Sequence, residues 1–261
     1  MIIFKTPEEI EQMKAAGSIS KAALRRAGAM VKPGVSTKEI DQVVESFIRL
    51  HRAVPTFKGY GGFPGSVCSS INEQVVHGIP SAETILQDGD IVSIDTGATF
   101  DGWVGDNAWT FYCGTVDEKV KALCEVTRDC LKAGIEQAVP GNHLGDIGYA
   151  VQRLAEKNGY GVVREYVGHG VGHVMHEEPS VPNYGRKGRG VKLQVGMVIA
   201  IEPMITLGTY EVHTLNNRWT VVTDDGKPAA HYENTIAITA DGPIVLTQDE
   251  EGPWCSMEGG L

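Results

Sequence analysis

A single offset of 107 positions relates two stretches of this 261-residue chain. Pro33-Gly34 returns as Pro140-Gly141, Ile40 as Ile147, and the run Leu86–Asp95 as Leu193–Glu202. An offset shared by a turn, a helix-like stripe and a strand-like run predicts two similar αβ halves. We place them at about residues 1–115 and 116–250 of one domain, with a short tail at 251–261. Each copy finishes a β-branched-rich strand on an acid, Asp95 in the first and Glu202 in the second. Alternation along a strand turns such residues toward whatever lies between the halves.

The flanking segments read as helices. Thr6-Pro7-Glu8-Glu9 has a cap, a proline at the first helical position and a glutamate to close a capping box. Ile10, Met13, Ile19 and Leu24 then form an apolar stripe. From Ser36 or Thr37, the positions Ile40, Val43, Val44, Phe47 and Ile48 repeat that design with one face for a sheet. Further helical patterns surround Val120, Leu123, Cys124 and Leu131, and Ile147, Val151 and Leu154.

The acids cluster in the same places. After Asp95 comes Thr96-Gly97, read as a turn, and a return segment carrying Asp106, which predicts a hairpin with both acids at its mouth. In the second half Glu202 is answered by Glu233 after a longer excursion. Any one acid at a strand end has a bland reading as a solvated turn residue. Four converging carboxylates do not, because their repulsion requires protonation or a cation.

Histidines offer the second kind of metal donor. His169 and His173 have the i, i+4 spacing of a zincin helix, but position 170 is not glutamate, and Gly168, Gly170 and Gly172 oppose a helix. An extended strand would put His169 and His173 on one face, with His176 on the other or beyond its end. His77 precedes Gly-Ile-Pro, read as a tight turn. Gly59-Tyr60-Gly61-Gly62 lacks the lysine of a phosphate loop, no Gly-x-Ser-x-Gly elbow occurs, and Cys68 reads better as a small buried wall than as a nucleophile.

Composition narrows the classes. A formal charge of −10 and a pI of about 5.3 oppose a nucleic-acid or anionic-membrane surface. No signal-peptide pattern opens the chain, and no apolar run reaches the roughly 18 residues of a spanning helix. Five cysteines without a CxxC pair fit free thiols in a reducing cytosol, so a cytoplasmic location is expected.

Asp95, Asp106, His169 within Gly-His-Gly-Val-Gly-His, Glu202-Pro203 and Glu233-Asn234-Thr235, in that order, resemble the signature of the type I methionine aminopeptidases, over nearly the whole chain. The resemblance implies the α/β (α+β) pita-bread fold, with two pseudo-symmetric halves and a curved, antiparallel-rich sheet around a dinuclear metal cleft. It implies two divalent ions, of Co, Mn, Fe, Zn or Ni, held by Asp95, Asp106, His169, Glu202 and Glu233, with Asp106 and Glu233 bridging. His77 and His176 would face the substrate. The methionine pocket carries over to Phe57, Tyr60, Phe63, Cys68, Met175 and Trp219. Two departures stand out: Met175 where phenylalanine is usual, and His173 where no histidine is required, which we read as structural.

The implied chemistry removes the initiator methionine from nascent polypeptides whose second residue is small. A hydroxide between the metals would attack, with Glu202 accepting its proton, His176 stabilising the oxyanion and His77 assisting the amine. A monomer is expected, without nucleic-acid or membrane partners, and ribosome contact is left open. Two rivals remain: a proline-directed relative of the prolidase or aminopeptidase P kind, and a metal-free binding relative, for which lost ligands and basic patches would be expected.

Overall fold

The computed structural model describes residues 1–250 and Gly252; Cys255 and the rest of the tail lie outside the described residues. Thr6 and Glu9 exchange the two hydrogen bonds of a capping box and open α1 (Pro7–Ala29). Ser36 and Glu39 do the same for α2 (Thr37–Leu50), leaving the first backbone N–H groups satisfied. Of the α2 stripe, Ile40, Val44, Phe47 and Ile48 are buried, while Val43 falls at the edge of the face and is exposed. The strands β1 (Val54–Pro55), β2 (Val67–Ile71), β3 (Gln74–Val76), β4 (Ile91–Phe100) and β5 (Trp103–Tyr112) follow.

The second set begins with α3 (Glu118–Glu136) and α4 (Leu144–Lys157). It continues with β6 (Gly161–Val162), β7 (Gly168–Gly170), β8 (Glu177–Val181), β9 (Val198–Ile201) and β10 (Met204–Thr206). The strands β11 (Val212–Thr214), β12 (Val221–Thr223), β13 (Ala229–His231), β14 (Asn234–Thr239) and β15 (Gly242–Val245) complete it. Every strand pairing among the described residues is antiparallel; the two largest sheets join β4 to β1, β2 and β5, and run β15-β14-β9-β7-β8. One apolar core spans both sets, with Leu24, Ile40 and Trp109 from the first and Leu131, Ile147 and Ile199 from the second.

The 107-residue offset holds in the backbone. The bounds of α4 are those of α2 displaced by 107, and the bridge Ser36–Ile85 recurs as His143–Lys192. Gly34 donates to the Leu86 carbonyl at 2.9 Å, and Gly141 donates to Leu193 at 3.0 Å. Both of these glycines have positive φ, 91° and 97°, which explains why the turn repeats as Pro-Gly.

The hairpin differs from the sequence expectation. Strand β4 runs through Asp95 to Phe100, and the turn is made by Asp101 (φ 48°) and Gly102 (φ 82°), a two-residue connection of the kind Asp-Gly favours. Asp95 pairs with Ala108 and Gly97 with Asp106, so both acids lie mid-hairpin on one face rather than at its mouth. In the second copy the counterpart of β4 is broken at Glu202-Pro203 into β9 and β10. Its register against β13 and β14 continues unbroken, Ile201 with Asn234 and Met204 with His231. The short turn there is replaced by residues 207–228, whose β12 pairs with β3 of the first set.

The two hairpins meet back to back. Ala108 and Glu233 exchange backbone hydrogen bonds at 3.4 and 3.0 Å, and Thr235 Oγ1 donates to the Asp106 carbonyl at 2.8 Å. Strands β5 and β14 therefore bring acids from both halves together.

Candidate functional site

The thirteen residues that the sequence assigns to metal, catalysis or the methionine pocket all line one cavity of about 180 Å³. That is below the roughly 300–1,000 Å³ of pockets for drug-sized ligands. It suits one amino-acid side chain better than a length of peptide. Its floor is charged and its wall apolar.

The floor holds Asp95, Asp106, Glu202, Glu233 and His169. Asp106 and Glu233 are almost fully buried, at 1% and 2% exposure. Burial, then the neighbouring carboxylates, pushes Asp95, Glu202 and Glu233 well above the usual carboxylate range, and burial raises Asp106 to about 7. One oxygen each of Asp95, Asp106 and Glu233 is buried without a hydrogen-bond partner among the described residues. His169 Nδ1 lies 2.9 Å from the Gly170 carbonyl, and burial together with His176 holds the ring neutral, with a pKa of about 4. A neutral imidazole facing a carbonyl carries its proton on that nitrogen, which leaves the Nε2 lone pair for the cleft. Nε2 stands 3.6 Å from both Asp106 Oδ2 and Glu202 Oε1. Converging acids, orphaned oxygens and a free imidazole lone pair suit a divalent cation with O and N donors.

The wall is built around Phe57, Phe63, Cys68 and Met175, which pack together with Trp219 at the edge. Cys68 sits opposite Asp95 in the ladder, and burial, then the negative charges of the floor, raises its thiol pKa well above the ordinary value. A protonated, apolar thiol is a wall and not a nucleophile. Tyr60 rims the opening, its hydroxyl 2.7 Å from His176 Nδ1, and His176 meets His169 edge-on at 4.3 Å between centroids.

His77 approaches from the other side, near Trp219 and Tyr166. The expected tight turn after it is absent. The chain changes direction at His77 itself, φ 59°, a conformation that a residue with a Cβ rarely adopts. Gly78 then passes so close to β2 that a Cβ would meet the Ser69 carbonyl oxygen at 2.1 Å. Burial, then His176, lowers the His77 pKa to about 4.

The glycine-rich segment also departs from expectation. Strand β7 is only three residues long, so His169 and His173 do not share an extended face. His173 instead stacks on Trp103 at 3.6 Å with Nδ1 2.8 Å from the Gly102 carbonyl, outside the residues that line the cavity. His176 lies beyond the strand end. Sequence reading missed Tyr166 and His231, both of which line the cavity. His231 could have been found from its spacing, two residues before Glu233 and thus on the same side of an extended chain.

The sequence profile of metallopeptidase family M24 matches residues 11–240. The chain belongs to that family. Within it, the chain is 54% identical to a methionine aminopeptidase of Clostridium acetobutylicum, over 95% of this chain and 99% of that protein. The crystal structure of methionine aminopeptidase from Thermotoga maritima is 45% identical and superposes with a TM-score of 0.94, over 95% of this chain and 100% of that one. Prolidase from Pyrococcus horikoshii shares the fold more distantly: 26% identity and a TM-score of 0.74, over 96% of this chain and 65% of that one. The architecture is the pita-bread fold of the family, and the chain is an M24 metallopeptidase of the methionine aminopeptidase kind, with a carboxylate and histidine group suited to metal.

Proposed function

We propose that the enzyme removes the initiator methionine of nascent polypeptides with a small second residue, in the cytoplasm, with two divalent ions held by Asp95, Asp106, His169, Glu202 and Glu233. The observation that carries this reading is the joining of an apolar cavity, sized for one side chain, to a floor of buried acids. Asp106 and Glu233, nearest the contact of the two hairpins, would hold the metal from both halves of the chain. Bound metal supplies an activated water and polarises the scissile carbonyl.

The protein residues do the rest. Phe57, Phe63, Cys68, Met175 and Trp219 enclose the methionine side chain, and the unbranched Met175 adapts to the thioether. The substrate amino group lies against the acids, which limits cleavage to the first residue. Glu202 accepts the proton of the attacking water. His176, held by Tyr60, donates to the developing oxyanion, and His77 hydrogen-bonds near the scissile nitrogen. Both imidazoles have lowered pKa values and are neutral at pH 7, so each can donate through one nitrogen without a buried charge.

The test is release of the first residue from Met-Ala-Ser, Met-Leu-Ser and Ala-Pro-Ser by the metal-stripped protein, with and without added Co or Mn. Metal-dependent cleavage of Met-Ala-Ser alone is expected. Cleavage of Ala-Pro-Ser would assign the site to proline-directed hydrolysis, and no turnover with either metal would refute the proposal.

A further inference from the structure

Of the four histidines that line the cavity, His231 is the one the five-ligand reading leaves without a task. Its side chain is buried, and its Nε2 has no hydrogen-bond partner among the described residues. A buried imidazole nitrogen left alone is destabilising. Its surroundings show what would satisfy it.

Nε2 lies 3.6 Å from Glu202 Oε2 and 4.0 Å from Glu233 Oε2. Both separations are too long for a hydrogen bond. They approach the separation of donors around one cation: two atoms each about 2.1 Å from a tetrahedral ion are roughly 3.4 Å apart. His169 Nε2 shows the same relation to the other oxygen of Glu202, at 3.6 Å. The Glu202 carboxylate is thus flanked by an imidazole on each oxygen, and Glu202, His231 and Glu233 form a group of donor atoms able to surround an ion.

The fold explains why a donor stands there. His231 pairs with Met204, and Asp106 pairs with Gly97, which lies 107 positions before Met204. His231 therefore occupies in the second hairpin the place of Asp106 in the first. Its backbone is fixed by Thr110, whose Oγ1 donates to the His231 carbonyl at 2.9 Å and accepts from its N–H at 3.0 Å. The ring is presented by two clamped hairpins.

We propose that His231 is itself a metal ligand, so that the centre carries two imidazoles, His169 and His231, on either side of Glu202. The proposal rests on the metallopeptidase reading above. A second nitrogen donor favours Fe, Co, Ni and Zn over Mn, because imidazole suits those ions and oxygen-rich sites suit Mn.

The test uses the full-length, metal-stripped protein titrated with Co(II). Exchangeable imidazole N–H signals shifted by the paramagnetic ion are counted by proton NMR, with affinity read from visible absorbance. Two shifted N–H signals are expected in the unaltered protein and one each in His231→Gln and His169→Ala. Co(II) affinity should fall at least tenfold in His231→Gln, since even residues that only orient ligands carry 10–100-fold. His231→Gln, close in size, keeps the comparison open should His231→Ala fail to fold, and the count in the unaltered protein needs no variant. A single signal in the unaltered protein, lost in His169→Ala, would overturn the proposal and leave the metallopeptidase reading standing, as would an unchanged spectrum and affinity in His231→Gln. No Co(II) binding by the unaltered protein would overturn both.

Discussion

Asp95 carries two opposed demands, since it must be ionised to hold a cation but burial among other acids raises its pKa well above the usual range and favours its protonated form. An acid whose folded pKa is raised binds a proton in the folded state that the unfolded chain has already released above about pH 4. Its deficit in stability therefore grows as pH rises. Asp95→Asn removes that deficit: in the presence of chelator its melting temperature should exceed that of the unaltered protein, by a margin larger at pH 8 than at pH 5, while peptidase activity is lost. An equal margin at both pH values would mean that Asp95 is not the protonated acid described. At His77 backbone and chemistry separate. His77→Ala and His176→Ala should each lower kcat/KM on Met-Ala-Ser roughly a hundredfold, as loss of a positioned acid or oxyanion donor does, without loss of Co(II) binding. His77→Gly should be as inactive as His77→Ala but more stable by about 1 kcal/mol, because glycine relieves the φ of 59°. Urea unfolding of the two variants measures that difference.

Among the elements, α1 lies so close to β5 that a Cβ on Gly105 would meet the Gly17 backbone at 2.5 Å. Gly105→Ala forces helix and strand apart next to Asp106, and should lower stability by about 2 kcal/mol or more, the scale of an overpacked core, and weaken metal binding with it. Calorimetry and Co(II) titration of one preparation test both effects. The helices were legible because caps and apolar stripes are local: Thr6 with Glu9 and Ser36 with Glu39 announce α1 and α2 from four residues each. The hairpin was only half legible. The β-branched run stops near Asp95, but the strand continues through Thr96-Gly97-Ala98 because β5 pairs along one side and, on the other, β2 as far as Thr96 and then β1 at Ala98, which no local pattern reports. The four acids were legible from the repeat, Asp95 and Glu202 closing its two strands and Asp106 and Glu233 answering them, while the apolar wall followed only from the family resemblance. His231 was missed although its spacing puts it on the same side as Glu233, because its correspondence to Asp106 appears only in the register across the two hairpins.

The whole molecule joins its halves through a centre that opposes itself until a cation arrives. In the metal-free protein burial and the neighbouring carboxylates raise Asp95, Glu202 and Glu233 well above the usual carboxylate range, so each keeps its proton to higher pH folded than unfolded and subtracts stability progressively as pH rises above about 4. The buried histidines act in the opposite direction. With pKa values of about 4 for His77 and His169 and about 3 for His231, they are charged between about pH 4 and 6.5 only in the unfolded chain, and the stability they withhold at low pH is regained by about pH 7. The two terms offset each other between about pH 4 and 6.5. Above that window the acids act alone, so the melting temperature of the chelated protein should fall from pH 6.5 to 8.5. Cation binding reverses the sign, because the ligands are then deprotonated in the folded state and affinity rises with pH. At a thousandfold excess over the dissociation constant the gain is about 4 kcal/mol, which for a chain of this size is roughly 8–16 °C. Melting curves with chelator and with Co(II) at pH 6.5, 7.5 and 8.5 should therefore diverge as pH rises. A gap that stayed constant would show that the acids holding the metal are not those whose protonation limits the metal-free fold.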